Sequence, residues 1–227
     1  MKNQKFFVAR LLACALTSWL GLGLGLGTAI AAGPADMSFF VTSAGLGKGA
    51  DLGGLDGADA HCAALAKAAG STKANWRAYL STTAPNGDAG INARERIGKG
   101  PWRNAKGIVI AKNVEHLHST SNNITKQTAL TENGGIVSGR GDPANLHDIL
   151  TGSDPDGHYS TAGGDTTCAN WTSSGEGSAI VGHHDLRGLK DTRHMTSWNS
   201  SHGTKACSQE SLKSTGGAGL FYCFAAD

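Results

Sequence analysis

The residues best suited to chemistry are histidines and carboxylates in the second half of the chain. His183-His184-Asp185, with His194 and His202 downstream, gathers imidazoles and a carboxylate into one stretch, and these are donor types that hold zinc. Neighbours on a strand point to opposite faces, so His183 and His184 serve one ion together only if a turn intervenes. His116 and His118, two apart, share a face if they lie on a strand. Asp154 and Asp156, in Gly152-Ser-Asp-Pro-Asp-Gly157, carry oxygens for calcium, but Asp, Pro and Gly are equally the chemistry of a tight turn, and the turn is the favoured reading. Trp76, Trp102, Trp171 and Trp198 offer faces on which sugar rings stack, with core packing as the alternative. Trp171 and Trp198 are expected around a disulfide, which leaves Trp102, after Gly100-Pro101, as the surface candidate. Hydrolase, phosphate-loop and dinucleotide motifs are absent from the sequence, so no catalytic centre is expected.

The elements that must position these groups begin after an expected export signal. Residues 1–31 combine a basic start (Lys2, Lys5, Arg10), an apolar run and the small residues Ala29-Ile30-Ala31, the pattern of a cleaved secretory segment that takes Cys14 with it. Removing it takes three of 20 Lys and Arg and none of 18 Asp and Glu, so the remaining charge is 17 − 18 = −1. That balance gives no electrostatic basis for a nucleic-acid partner. No stable membrane insertion is expected once the segment is gone, and a secreted or periplasmic location follows. The rest divides into a short segment, 32–38, and one domain, 39–227, rich in glycine and low in charge.

Within the domain, Phe39-Phe-Val-Thr-Ser43 reads as a strand and the Ala-rich run from Asp56 or Asp59 to Ala69 as a helix closing on Gly70, with Cys62, Leu65, Ala66 and Ala69 on one face. Trp76-Arg-Ala-Tyr-Leu80 reads as a strand sending Trp76, Ala78 and Leu80 one way and Arg77 and Tyr79 the other. Residues 91–97 suggest a short helix and 108–111 a short strand. The polar span from about 115 to 141 suggests a long surface excursion. Short strands separated by Gly and Ser loops are expected beyond Gly157, ending in a buried strand at Gly219-Leu-Phe-Tyr-Cys-Phe224. Four cysteines, Cys62, Cys168, Cys207 and Cys223, lie beyond the signal, and spacing alone allows three ways to pair them.

Five short motifs in order, Gly57-Ala-Asp59 with Cys62, Trp76-Arg-Ala-Tyr-Leu-Ser81, Gly152 to Gly157 with Cys168-Ala-Asn-Trp171, Trp198-Asn-Ser-Ser-His202 and Tyr222-Cys223, resemble the endostatin-like branch of the C-type lectin-like fold. The resemblance implies an α+β domain of mixed twisted sheets, one main helix and long loops, with nested disulfides Cys62 to Cys223 and Cys168 to Cys207. It departs from the sugar-binding lectins in their calcium motifs: Ser200 follows Trp198-Asn199 where an Asp would bind calcium, and neither Glu-Pro-Asn nor Gln-Pro-Asp occurs. The zinc-binding N-terminal histidines of mammalian endostatins have no counterpart in Ala32-Gly-Pro-Ala-Asp-Met37. Because family members bind sulfated glycans through arginines, Arg94, Arg96 and Arg103, with Lys99 and Lys106, are candidates for an anionic sugar, although such clusters are usually solvated faces.

The expectation is therefore a non-enzymatic binding protein that recognises an extracellular glycan, with no required cofactor and with calcium or zinc as options. The alternative is a protein-binding or structural module, and a third reading is a zinc hydrolase using His183, Asp185 and His202. Candidate ligand-binding residues are Trp102, Arg94, Arg96, Arg103, Asp154, Asp156, His183, His184, Asp185, Asn199 and His202.

Overall fold

The apolar run at Gly219–Phe224 is the middle of a nine-residue strand, β8 (Gly217–Ala225), in the computed structural model, which describes residues 33–84 and 90–227. The expected signal segment and Cys14 lie outside the described residues. A strand covered on both faces needs apolar residues at successive positions. Here Leu220, Tyr222 and Phe224 enter one core, while Phe221, Cys223 and Ala225 enter another. Both edges of β8 are paired: β1 (Phe39–Val41) lies antiparallel along one, and β2 (Trp76–Ala78) antiparallel along the other. Nearer its start, β8 runs parallel to β5 (Asp148–Leu150), beyond which β6 (Ile180–His183) and β7 (His202–Gly203) add antiparallel. A hairpin of β3 (Trp102–Arg103) and β4 (Val109–Ala111) forms a second small sheet. Mixed sheets with few helices give the α+β class that the sequence implied.

Helix α1 (Gly54–Ala68) covers the first core with Ala58, Cys62 and Ala66, and Leu65 and Ala69 pack beside them. Neither Asp56 nor Asp59 caps it. Gly53 does, at φ 72°, with Asp56 in the first turn where a negative charge favours the helix dipole. Asp59 sits inside the helix and accepts hydrogen bonds from Arg77, Arg96 and the Ala78 amide, each 2.8 Å long. Cys62 pairs with Cys223 and Cys168 with Cys207, the nested arrangement implied by the resemblance, with Cα separations of 5.6 and 5.8 Å. The alternation expected of β2 also holds, Trp76, Ala78 and Leu80 entering the first core and Tyr79 the second.

Three segments differ from the sequence reading. The 115–141 span is not a surface excursion: α3 (Val114–Leu117) starts it, Leu117, Ile124, Ala129 and Val137 enter the second core, and Leu130 is buried as well. Apolar residues there are too widely spaced to form a period, yet each anchors its loop. The last third contains a helix as well as strands, α5 (Gln209–Thr215), where the Ser208 side chain accepts from the Ser211 amide and Gly216 ends the helix at φ 109°. Trp171 packs with the Cys168–Cys207 pair as expected, but Trp198 lies in the second core against Tyr79 and Tyr222.

Short α2 (Ala93–Arg96) precedes the hairpin, and α4 (Cys168–Trp171) is a single helical turn of the opposite hand, with φ of 48°, 54°, 56° and 67°. L-residues resist this conformation by about 1–2 kcal/mol each, so the surroundings must impose it. Asp165 accepts hydrogen bonds from the Thr167 and Ala169 amides, Asn170 accepts from the Thr83 amide, and Cys168 is tied to Cys207. Among the described residues no helix is long and apolar enough to cross a membrane.

Candidate metal centre

Strand pairing delivers three polar side chains to one face. Asp148 begins β5 and His183 ends β6, directly opposite in register. In β7, His202 pairs with Val181, two residues from His183 and therefore on the same side of the sheet. His147, just before β5, stacks on His183 with ring centroids 4.0 Å apart and planes at 7°. The 195–199 segment lies close over β6 because residue 182 is glycine, where a Cβ would overlap the Trp198 carbonyl.

The outer nitrogen of each histidine is held by an oxygen that can only accept. His147 Nδ1 donates to Asp185 Oδ1 at 3.2 Å, His183 Nδ1 to the Met195 carbonyl at 2.7 Å, and His202 Nδ1 to the Gly203 carbonyl at 3.0 Å. With the proton on Nδ1, each neutral ring turns Nε2 inward as a lone pair. These lone pairs converge on a carboxylate. His147 Nε2 and His183 Nε2 are each 3.2 Å from Asp148 Oδ1, His202 Nε2 is 3.5 Å from it, and the His183 and His202 Nε2 atoms are 3.1 Å apart. Both Asp148 oxygens are buried without a hydrogen bond. Four acceptors facing one another repel, and a buried carboxylate without a partner is costly. A cation at their centre removes both penalties.

The spacing selects the cation. Tetrahedral zinc, with bonds of about 2.0–2.1 Å, places its ligand atoms about 3.3 Å apart; four of the six separations here run from 3.1 to 3.5 Å, and the set whose ligand atoms all lie within 4.8 Å of one another is His147, Asp148 and His183, with His202 adjoining it through His183 and Asp148. Three imidazoles and one carboxylate suit zinc, whereas calcium needs mostly oxygen. Anchoring each ligand histidine through its other nitrogen is the outer shell that zinc sites carry.

Electrostatics agree with a centre built to hold positive charge. Burial alone would raise the Asp148 carboxyl; a positive partner, either His183 and His202 protonated on Nε2 or a cation in place of those protons, is what holds it down, to about 2 with the protonated rings. Asp148 in turn raises His202. Asp185 is also buried against its preference for water, yet His147 and the amides of Arg140 and Arg187, at 2.7 and 3.1 Å, keep it below the usual carboxylate range. A cleft of about 350 Å³, walled by Arg140, Leu189, Met195 and Thr215, opens onto the three histidines. His202, with 29% of its side chain exposed, is the histidine that faces solvent.

Of the residues singled out in the sequence, the structure brings His183 and His202 together and places Asp185 behind His147 as an anchor. His184 does point away from His183, towards the Ser138 carbonyl, and burial pushes it down to about 4. Two candidate ligands, His147 and Asp148, were not among the residues singled out. The signal for them was an ionisable pair inside the otherwise apolar Leu146-His-Asp-Ile-Leu150. His116 lies in helix α3 and His118 caps its C-terminus, with separate partners, Lys112 and Tyr79.

Trp102 is not a surface residue: it is 1% exposed, and its indole N–H donates to the Ile97 and Ala225 carbonyls. Arg94, Arg96 and Arg103 donate to the carbonyls of Asp156, Ala78 and Gly107, and Arg96 also pairs with Asp59. Asp154 closes its own turn by accepting from the Asp156 and His158 amides. Asn199 is buried and donates to Tyr79 and to the Asp154 and Pro155 carbonyls. No family model and no curated protein matches the chain.

Proposed function

We propose that this chain is an exported zinc-binding protein, a single endostatin-like domain of the C-type lectin-like class. His147, Asp148 and His183 hold one zinc ion, with His202 beside them at the cleft, and the cleft above presents the ion to a ligand. It acts by binding rather than by catalysis. The observation that carries the reading is the convergence of four acceptor atoms whose histidines are each fixed from behind by an oxygen. Two disulfides support an oxidising compartment, and the tie from α1 to β8 supports the fold family. Sugar stacking on tryptophan gains no support, since Trp76, Trp102, Trp171 and Trp198 are all buried.

Metal analysis of protein purified without chelator, or after addition of one equivalent of zinc, tests the proposal. One zinc per chain is expected, lost in His147→Ala and Asp148→Asn variants that keep both disulfides. Folded, oxidised protein that neither carries nor takes up zinc would overturn it.

A further inference from the structure

The cleft over the histidines is asymmetric in charge and in polarity. Arg140 stands on its wall beside His147, His183 and His202, while Leu189 and Met195 supply apolar surface. Leu189, 76% exposed, presents its apolar side chain to the cleft beside Met195. The neighbouring hollow shares Arg140 and adds Arg187 and Lys190. Among the described residues none of these three cations forms an ion pair, and Asp191 is the only acid in the 186–196 segment that carries Arg187 and Lys190. Zinc with Asp148 and Asp185 is neutral in sum, so the rim sets the sign of the mouth, which is positive.

Resting on the zinc reading, we propose that the cleft binds a carboxylate attached to an apolar body. One carboxylate oxygen would take the open position facing the cleft beside His202 that zinc held by three protein side chains keeps free. The planar guanidinium of Arg140 takes the other oxygen, a geometry that arginine and carboxylate share. Leu189 and Met195 cover the apolar part. A phosphate, with more oxygens to satisfy, would leave them facing Leu189 and Met195.

Cobalt(II) in place of zinc reports on both halves of the inference, because its visible absorption depends on coordination number. Benzoate, acetate and inorganic phosphate are titrated into the oxidised, cobalt-loaded protein. Benzoate is expected to change the spectrum saturably and more tightly than acetate or phosphate. Arg140→Ala should weaken benzoate about tenfold or more while cobalt affinity stays unchanged. Leu189→Ala should weaken benzoate but leave acetate as it was. Failure to bind cobalt at all would overturn the zinc reading, and this proposal with it. Stoichiometric cobalt with a spectrum indifferent to benzoate would overturn only the carboxylate site. Phosphate binding as tightly as benzoate would replace the carboxylate with a general anion site, and an unaffected Arg140→Ala variant would remove the arginine.

Discussion

Asp185→Asn separates an anchor of the metal site from a merely structural carboxylate. Asp185 accepts three hydrogen bonds: His147 Nδ1 at 3.2 Å and the Arg187 amide at 3.1 Å on Oδ1, and the Arg140 amide at 2.7 Å on Oδ2. Asparagine has one acceptor oxygen for these three donors. If that oxygen faces Arg140, the amide nitrogen opposes the Arg187 N–H and forces His147 to accept on Nδ1. The ring proton then moves to Nε2 and blocks the ligand position. If the oxygen faces His147 and Arg187, the Arg140 N–H loses its partner, at a cost of roughly 1–3 kcal/mol.

Loss of such an outer-shell partner lowers metal affinity roughly 10- to 100-fold, which is about 1.4–2.7 kcal/mol of binding free energy. Competition against a chromophoric chelator measures the dissociation constant, and thermal melts with and without zinc measure the linked stability. The expected result is a weakened constant together with a smaller zinc-induced rise in Tm. Wild-type zinc affinity, with Tm lowered equally in both forms, would refute the anchoring role and leave Asp185 a purely structural residue.

Replacing both Cys62 and Cys223 with Ala opens a loop of 161 residues, for which chain entropy sets an upper loss of about 4–5 kcal/mol. In a domain of this size that is a fall of roughly 8–20 °C in Tm, measurable by calorimetry. Asp59→Ala strands Arg96, whose side chain is 13% exposed, and a loss of about 3–5 kcal/mol in urea unfolding is expected. Burial lowers the pKa of His118 below its ordinary 6.5, so the unfolded chain takes up that proton first. The His118 contribution to stability is therefore complete above pH 6.5 and is lost as pH falls towards the folded value. His118→Gln should flatten that part of the acid limb in denaturant titrations, and an unchanged limb would discount the burial.

The helix and strands with dense apolar patterns were legible. Cys62 and Ala66 of α1, the split faces of Trp76 to Leu80, and the buried Leu220 to Phe224 all follow from one residue's neighbours in sequence. The candidate metal centre was only half legible for the opposite reason. His183 and His202 stand in a polar, His-rich stretch that attracts attention, whereas His147 and Asp148 joined them through strand pairing across 35 residues of sequence (183 − 148), which no local pattern encodes. Asp185, singled out beside His183 and His202, meets His147 Nδ1 instead of the centre of the cluster, and ligand and anchor differ only in geometry. Trp102 illustrates a further gap: after Gly100-Pro101 it reads as a loop residue, and only the docking of Phe224 against its ring buries it.

Turn α4 carries a consequence for chirality. Ala169 is exposed and sits at φ 54° and ψ 49°, which for a D-amino acid is the ordinary helical basin. The native fold thus contains a stretch in which the mirror-image building block is the better match to the backbone. Chemical synthesis with D-alanine at 169 would relieve strain that an L-side chain carries there and achiral glycine does not, and the ribosome has no way to make that exchange. What the genetic code can supply instead is restraint from outside the turn, and Asp165, Asn170 and the bond from Cys168 to Cys207 are that restraint written into the sequence.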